Sequence, residues 1–385
     1  MAGTPTRWPR ALVATVVALL ALGACTGPAE PPPTSTSTEP VASEPRPSAS
    51  PTVSLRTVAP KDLLIGSSVV GGGHLSGTDH PQPLESDAAY RQLLATQFAT
   101  LTPENALKWA SVEPARDTYD FAAGDAAVAF AEQHGEQVRG HNLMWHQSNP
   151  AWLTEGGFTP DQLRQILHDH ISTVVGHYRG RIAAWDVANE IFDDYGRLQA
   201  GDPFTDALGV GIVADAFRWA HEADPAAVLY LNDYNVESSA AKRQAYLDLA
   251  RQLLAQGVPL GGMGIQGHLS LQYPPFPPDF RSTLQAFADL GLDVAITELD
   301  VRMALTGGEA TGDQLATQAD WYRQAVAGCL AVARCVSVTM WGLPDTYSWV
   351  PATFTGQGAA TPFIDDSTAK PAFDALVAAL QAGRT

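Results

Sequence analysis

Eight short apolar runs recur along the chain, at residues 63–66, 98–102, 137–142, 183–189, 228–232, 263–266, 293–297 and 336–341. Longer amphipathic stretches lie between them, such as 159–178, 213–222 and 239–256. Thr159-Pro160-Asp161 opens one of these as a helix should open: a cap residue, proline at the first position and an acid in the first turn. Eight strands alternating with helices over about 325 residues predict parallel βα units. A closed (β/α)8 barrel accommodates that count and length better than a doubly wound sheet. From Lys61 onward no low-complexity linker and no fixed 20–50 residue repeat appears, so 61–385 is expected to be a single α/β domain.

The preceding residues are of another kind. Arg7 and Arg10 are the only charges among the first 29 residues, and a 12-residue apolar run follows at 11–22. That is the charged start and short apolar core of an export signal, and it is too short to span a bilayer of ~30 Å. The run ends in Leu22-Gly23-Ala24-Cys25, which resembles the lipobox of a bacterial lipoprotein. Either Cys25 is lipidated as the mature N-terminus, or cleavage after a small residue removes it. Residues 26–60 hold 9 Pro and 12 Ser/Thr and no aromatic, and read as an extended tether. The chain is therefore expected to be exported, as a cell-surface lipoprotein or a secreted protein.

Charge narrows the partners. The chain has 41 acidic and 23 basic side chains, net −18, and residues 1–60 hold only three of the acids and four of the bases. Such a domain repels polyphosphate, so no nucleic-acid partner is expected. Three cysteines exclude a disulfide-dense scaffold and a four-cysteine zinc site. The 45% hydrophobic content suffices for a large core. What remains is an acidic globular domain acting on a neutral or small partner.

The ends of the runs carry the chemistry. Asn105, His141, Asn189-Glu190, Asn232-Asp233, Gln266-Gly267-His268, Glu298 and Trp341 lie at or just past apolar runs. One polar strand end is ordinary, because strands must stop. Polar ends on seven runs point to the mouth of a barrel, where functional groups gather. Glu190 closes the fourth run and Glu298 the seventh, which a barrel sets across one mouth. Two carboxyl groups there suit glycosidic cleavage: one protonated to donate to the leaving oxygen, one ionised at the anomeric carbon. Repulsion between them would push their pKa values apart.

The motifs at these positions, 101–109 (LTPENALKW), 140–146 (GHNLMWH), 185–190 (WDVANE), 231–235 (LNDYN), 264–268 (GIQGH), 296–300 (ITELD) and 340–342 (MWG) through Ser348-Trp349, resemble in order those of glycoside hydrolase family 10, the endo-β-1,4-xylanases. The likeness spans residues 61–380 and implies a (β/α)8 fold, retaining hydrolysis of xylan and carboxyl groups about 5–5.5 Å apart. By motif it implies Glu190 as acid/base and Glu298 as nucleophile. Asn189 would bond the 2-hydroxyl of the attacked sugar, and His268, backed by Asp300, would hold the nucleophile ionised. Asn105 and Lys108 would bind hydroxyls on the non-reducing side. His141, Trp145, His146 and Gln266 would surround the attacked sugar. Trp341 and Trp349 would be stacking platforms, and Tyr234 would line the leaving-group side. Cys329 and Cys335 lie where the family often has a disulfide, which export permits. The implied partners are xylan and xylo-oligosaccharides, with a monomeric enzyme, no cofactor, no metal site, and membrane contact only through a lipid anchor. With the lipobox, the likeness points to an actinobacterial type.

Several features depart from that pattern. Gln147-Ser148 stands where the family usually reads Ser-Gln, so either Gln147 serves from a shifted backbone or a sugar contact is missing. Val350 replaces a frequent arginine, and the loop holding Asp202-Pro203-Phe204 lacks an expected tryptophan. Gly209 to Ala214 matches a dinucleotide fingerprint but follows no strand, so a plain helix start is expected. His74, His168, His170 and His177 form no convincing metal set; His170 and His177 are expected to be solvated helix residues. A retaining endoglucanase on the same barrel, or a non-catalytic surface sugar receptor, are the competing readings.

Overall fold

The computed structural model describes residues 53–70, 82–364 and 368–384. The expected export signal, Cys25, most of the expected tether and His74 lie outside the described residues. Eight strands form the barrel: Leu64–Val69, Thr100–Pro103, Gln137–Met144, Ala184–Asn189, Val228–Asp233, Gly262–Ile265, Asp293–Ala304 and Cys335–Met340. Each pairs in parallel with the next, and the last returns to the first through Leu64↔Ser337 to Ser67↔Met340, which closes the cylinder. The eight expected runs are these eight strands.

The seventh strand outlasts its apolar run by seven residues, from Glu298 to Ala304. Its extension carries two short partners: His268–Ser270 in parallel, and Gln357–Gly358 antiparallel. Only the continuous apolar run ends at Thr297; Leu299, Val301 and Met303 go on alternating with Glu298, Asp300 and Arg302, so the extension is marked by a period of two rather than by a run. Register shifts interrupt the ladders of the third, fourth and seventh strands next to the mouth, where such irregularities re-aim side chains.

Helices wrap the outside. Thr159 caps helix Pro160–His177 with a full capping box to Gln162, as its sequence implies. Ser239 caps helix Ala240–Ala255, which turns Lys242 and Tyr246 inward, one turn apart. The glycine-rich decoy lies between helix Pro203–Leu208 and helix Ile212–Ala223, with no strand before it. His170 corrects an expectation. It is fully buried, stacked on Trp109 at 3.6 Å, with Nδ1 2.9 Å from Glu113. Its helix face packs on the barrel rather than facing water.

The tether also ends earlier than Pro60. Residues Leu55–Val58 form a helical turn, and Leu55 is fully buried. Arg56 donates to the carbonyls of Ala95, His134 and Gly135, just ahead of the second and third strands. These residues therefore belong to the barrel floor, at the N-terminal ends of the strands. Leu55 and Val58 supply the apolar contact that Pro and Ser richness obscured. Among the described residues no helix is long and apolar enough to cross a membrane. Cys329 and Cys335 form a buried disulfide.

Candidate active site

A cleft of about 640 Å³ opens at the C-terminal ends of the strands. It brings together Asn105, Lys108, His141, Trp145, Glu190, Tyr234, Gln266, His268, Glu298, Trp341 and Trp349, which sit at the ends of seven different strands or just beyond them. Asn189, His146 and Asp300 stand directly behind these.

Glu298 is held by two donors. Asn232 Nδ2 donates to Oε1 at 2.8 Å, and His268 Nε2 lies 3.2 Å from Oε2. The other nitrogen of His268 lies 2.8 Å from Asp300 Oδ2, an oxygen that also accepts Trp349 Nε1 at 2.8 Å. Burial works against a charged imidazole, but Asp300 and Glu298 outweigh it and push His268 up to about 10. The ring is then a cation donating from both nitrogens. Burial likewise raises Glu298, yet the charge of His141 and the bond from His268 prevail and hold it below the usual carboxylate range. Asp300 thus fixes His268 and Trp349 together, and through His268 keeps Glu298 ionised.

Glu190 has different company. Trp145 Nε1 donates to Oε2 at 2.7 Å and Gln266 Nε2 to Oε1 at 3.0 Å, both neutral donors. His146 stands 3.9 Å away, and burial holds its imidazole below the usual histidine range, so it adds no fixed charge. Glu190 sits at φ +55°, a left-handed conformation costing a non-glycine residue on the order of 1–2 kcal/mol. Its own N–H bonds the Asn232 carbonyl at 2.9 Å, and the next N–H, of Ile191, bonds Tyr246 Oη at 2.9 Å. Tyr246 donates to Asp233, which accepts Lys242 Nζ at 2.8 Å. This wholly buried triad clamps the turn that aims Glu190, and Lys242 also lies 3.6 Å from the centre of the Tyr234 ring.

Asn232 ties the two carboxylates together. Its second N–H donates to Asn189 Oδ1 at 2.9 Å, and Thr297 donates to its own oxygen at 2.6 Å. Since Asn232 Nδ2 is committed as a donor, the Asn189 amide presents oxygen toward it. Gly264 lets this happen: a Cβ there would lie 2.2 Å from Asn232 Oδ1. The chain Glu298–Asn232–Asn189–Gln266–Glu190 is continuous in hydrogen bonds.

Along the wall, Lys108 Nζ donates to Asn105 Oδ1 at 2.9 Å and lies 5.0 Å from the centre of the Trp145 ring. Asn105 points its amide at Glu104, which also lines the cleft. Sequence reasoning passed over Glu104, although it sits in the same motif as Asn105. His141 is held by Asp186 at 3.0 Å, and Asp186 in turn pairs with the buried Arg139. Gln147 lines the cleft next to His146, and the following Ser148 takes a left-handed φ of +53°. Val350 is fully buried at the start of a one-turn helix, and Phe204 stacks on Trp109 in the core, so neither reaches the cleft. Among the described residues no three metal-ligating side chains converge.

The buried acids set a pH dependence. Burial, opposed by Lys108, raises Glu104 to about 7. Burial, opposed by Lys242, raises Asp233 to about 8. Burial, opposed by Arg56, raises Glu136 to about 7. Between their ordinary values and these raised ones the folded chain holds protons that the unfolded chain releases. Stability therefore falls as pH rises through that window. The support His268 gives is complete below its ordinary value of 6.5 and declines toward 10, in the same direction. The contribution of Glu298 is lost only as pH falls below the ordinary carboxylate value. His146 and His170, held by burial below the usual histidine range, work the other way and cost stability as pH falls below 6.5. The three acids and His268 outweigh them, so melting temperature is expected to be higher at pH 5 than at pH 8, by on the order of 5 °C. Glu104→Gln with Glu136→Gln should reduce the difference, and a melting temperature that climbs from pH 5 to pH 8 refutes it.

A carboxylate held ionised by a cation, across the cleft from one bonded only by neutral donors, can divide attack from proton transfer at a sugar linkage. Known proteins agree with this chemistry. Residues 68–379 match the family model described as glycosyl hydrolase family 10. An endo-1,4-beta-xylanase of Agaricus bisporus is 40% identical over 311 residues, covering 80% of this chain and 92% of that protein. Endo-1,4-beta-xylanase A of Phanerodontia chrysosporium is 42% identical, covering 76% and 70%. Native xylanase 10B from Thermotoga maritima superposes with a TM-score of 0.79 at 36% identity over 86% of this chain and 98% of that one. Xylanase 10B from Thermotoga petrophila, solved with xylobiose, does so with the same TM-score at 35% identity and the same coverage. The two sequence relatives are fungal, so they lend no support to an actinobacterial lipoprotein type. On the match of family model, sequence and barrel together, the chain belongs to glycosyl hydrolase family 10.

Proposed function

We propose that the protein is an endo-β-1,4-xylanase that works by double displacement. Glu298 attacks the anomeric carbon while Glu190 protonates the departing glycosidic oxygen, which leaves a covalent glycosyl-enzyme. Glu190, now ionised, takes a proton from water, and the resulting attack frees Glu298 with retained configuration. The observation that carries this reading is the asymmetry of the two sites: an imidazolium on Glu298, and only neutral donors on Glu190. Donors exist on either side of the reacting bond for the sugar hydroxyls. Asn189 would bind the 2-hydroxyl, Asn105 and Lys108 the hydroxyls on the non-reducing side. His141, Trp145, His146 and Gln266 would surround the attacked ring. Trp341 and Trp349 would stack on sugar faces, and Tyr234 would meet the leaving chain. The family's retaining mechanism and the xylobiose complex of the Thermotoga petrophila enzyme support the assignment.

The same reading extends to a single exported catalytic domain acting as a monomer, attached through Cys25 or released after cleavage. The mass of the mature N-terminus distinguishes those two. The function itself is tested by incubating the protein with xylan and with carboxymethylcellulose and following fresh products by NMR. Xylo-oligosaccharides appearing first as the β-anomer are expected. Equal or faster cleavage of the glucan would shift the substrate to β-1,4-glucan, and α-anomers would rule out double displacement.

A further inference from the structure

Side chains alternate along a strand, so Glu298, Asp300 and Arg302 share one face of the seventh strand, each further out than the last. Glu298 and Asp300 are bonded to His268, and Asp300 also to Trp349. Arg302 lines the cleft beyond them, with its guanidinium 4.0 Å from the centre of the Phe354 ring. Its Nε is buried without a partner, and among the described residues no acceptor bonds its other nitrogens and no carboxylate lies within ion-pair distance. Burial pulls it below the usual arginine range, with Asp300 opposing only from a distance.

The other cations of the cleft are committed. Lys108 bonds Asn105, and His268 bonds both Asp300 and Glu298. Elsewhere the lining is acidic, through Glu104, Glu190 and Glu298. Arg302 is therefore the cation of the cleft whose hydrogen-bonding fork no neighbouring side chain already occupies. Stacking on Phe354 holds the guanidinium plane in place before any ligand arrives. A planar fork of that kind fits a carboxylate with two parallel hydrogen bonds. The backbone of xylan offers only neutral hydroxyls, and its acidic group is a uronic-acid branch. Resting on the xylan reading above, we propose that Arg302 is a specificity residue receiving the carboxylate of a uronic-acid branch, so that acidic xylan is cut preferentially beside its branches.

The test compares glucuronoxylan with the same polymer after chemical reduction of its carboxyl groups to alcohols. Backbone and branch sites are retained and only the charge is lost. For the wild-type protein kcat/KM should be roughly tenfold higher on the acidic polymer, the increment expected of one hydrogen bond to a charged group. Added salt should shrink that ratio. In Arg302→Gln the ratio should fall to about one, and in Arg302→Lys, which keeps charge without the fork, it should lie between. A ratio unchanged in Arg302→Gln overturns the proposal, as does a wild-type ratio near one. Equal losses on both polymers also overturn it, because they would make Arg302 a hydroxyl contact or a folding residue. Wild-type protein inactive on both polymers would remove the xylan reading itself, and the branch contact with it.

Discussion

Replacing Glu298 with alanine is expected to abolish turnover on every glycoside, a loss on the order of 10⁵-fold or more, because no other group can form the glycosyl-enzyme. The side chain is almost fully buried, and its two oxygens accept from Asn232 and His268. Truncation leaves both donors aimed at a small void and a charged imidazole facing it. The aromatic and polar side chains that line the rest of the cleft are untouched, so affinity for a xylo-oligosaccharide, read by calorimetry, should change far less than kcat. Residual turnover within about a hundredfold of wild type, on any substrate, would mean that some other residue makes the covalent bond.

Glu190→Ala should behave differently. Loss of general acid–base help is typically ~10²–10⁴-fold, and xylan needs that help because its leaving alkoxide is poor. An aryl xylobioside with a good leaving group needs little protonation in the first step, so its rate of glycosyl-enzyme formation should stay far closer to wild type. Slow deglycosylation should then give a burst of the aryl alcohol followed by a slow steady state. Equal losses on xylan and the aryl glycoside, with no burst, would remove the acid/base role from Glu190. The contrast between the two variants separates the roles, which neither does alone.

The sequence made the barrel legible because its evidence was redundant. Eight apolar runs at regular spacing leave little freedom in topology, and the capping box at Thr159 starts a helix where the pattern required one. The lining of the cleft was legible for a related reason: one polar strand end is ordinary, but seven of them have no common packing purpose. What stayed hidden was whatever depends on neighbours distant in sequence. His170 reads as an ordinary helix histidine until Trp109 and Glu113 are seen against it. Tyr246 and Lys242 look like the inner face of one helix, and only the fold reveals that they brace the turn at Glu190. Leu55 and Val58 lay inside a stretch whose composition spoke for a tether. Arg302 falls past the continuous apolar run, on a strand extension that shows only as the alternation of Leu299, Val301 and Met303 with polar residues.

Residues 55–58 enter the barrel at its floor, bonded to the segments that lead into the second and third strands, and the sugar cleft opens at the opposite end. Arg384 sits at that floor too, bonded to Asp62 and to the carbonyls of Val332 and Cys335. Both ends of the domain are thus gathered on the side remote from catalysis. Partner modules, linkers or attachment points can be appended at either terminus without obstructing a long polymer, which is free to slide across the open end and be cut at interior positions.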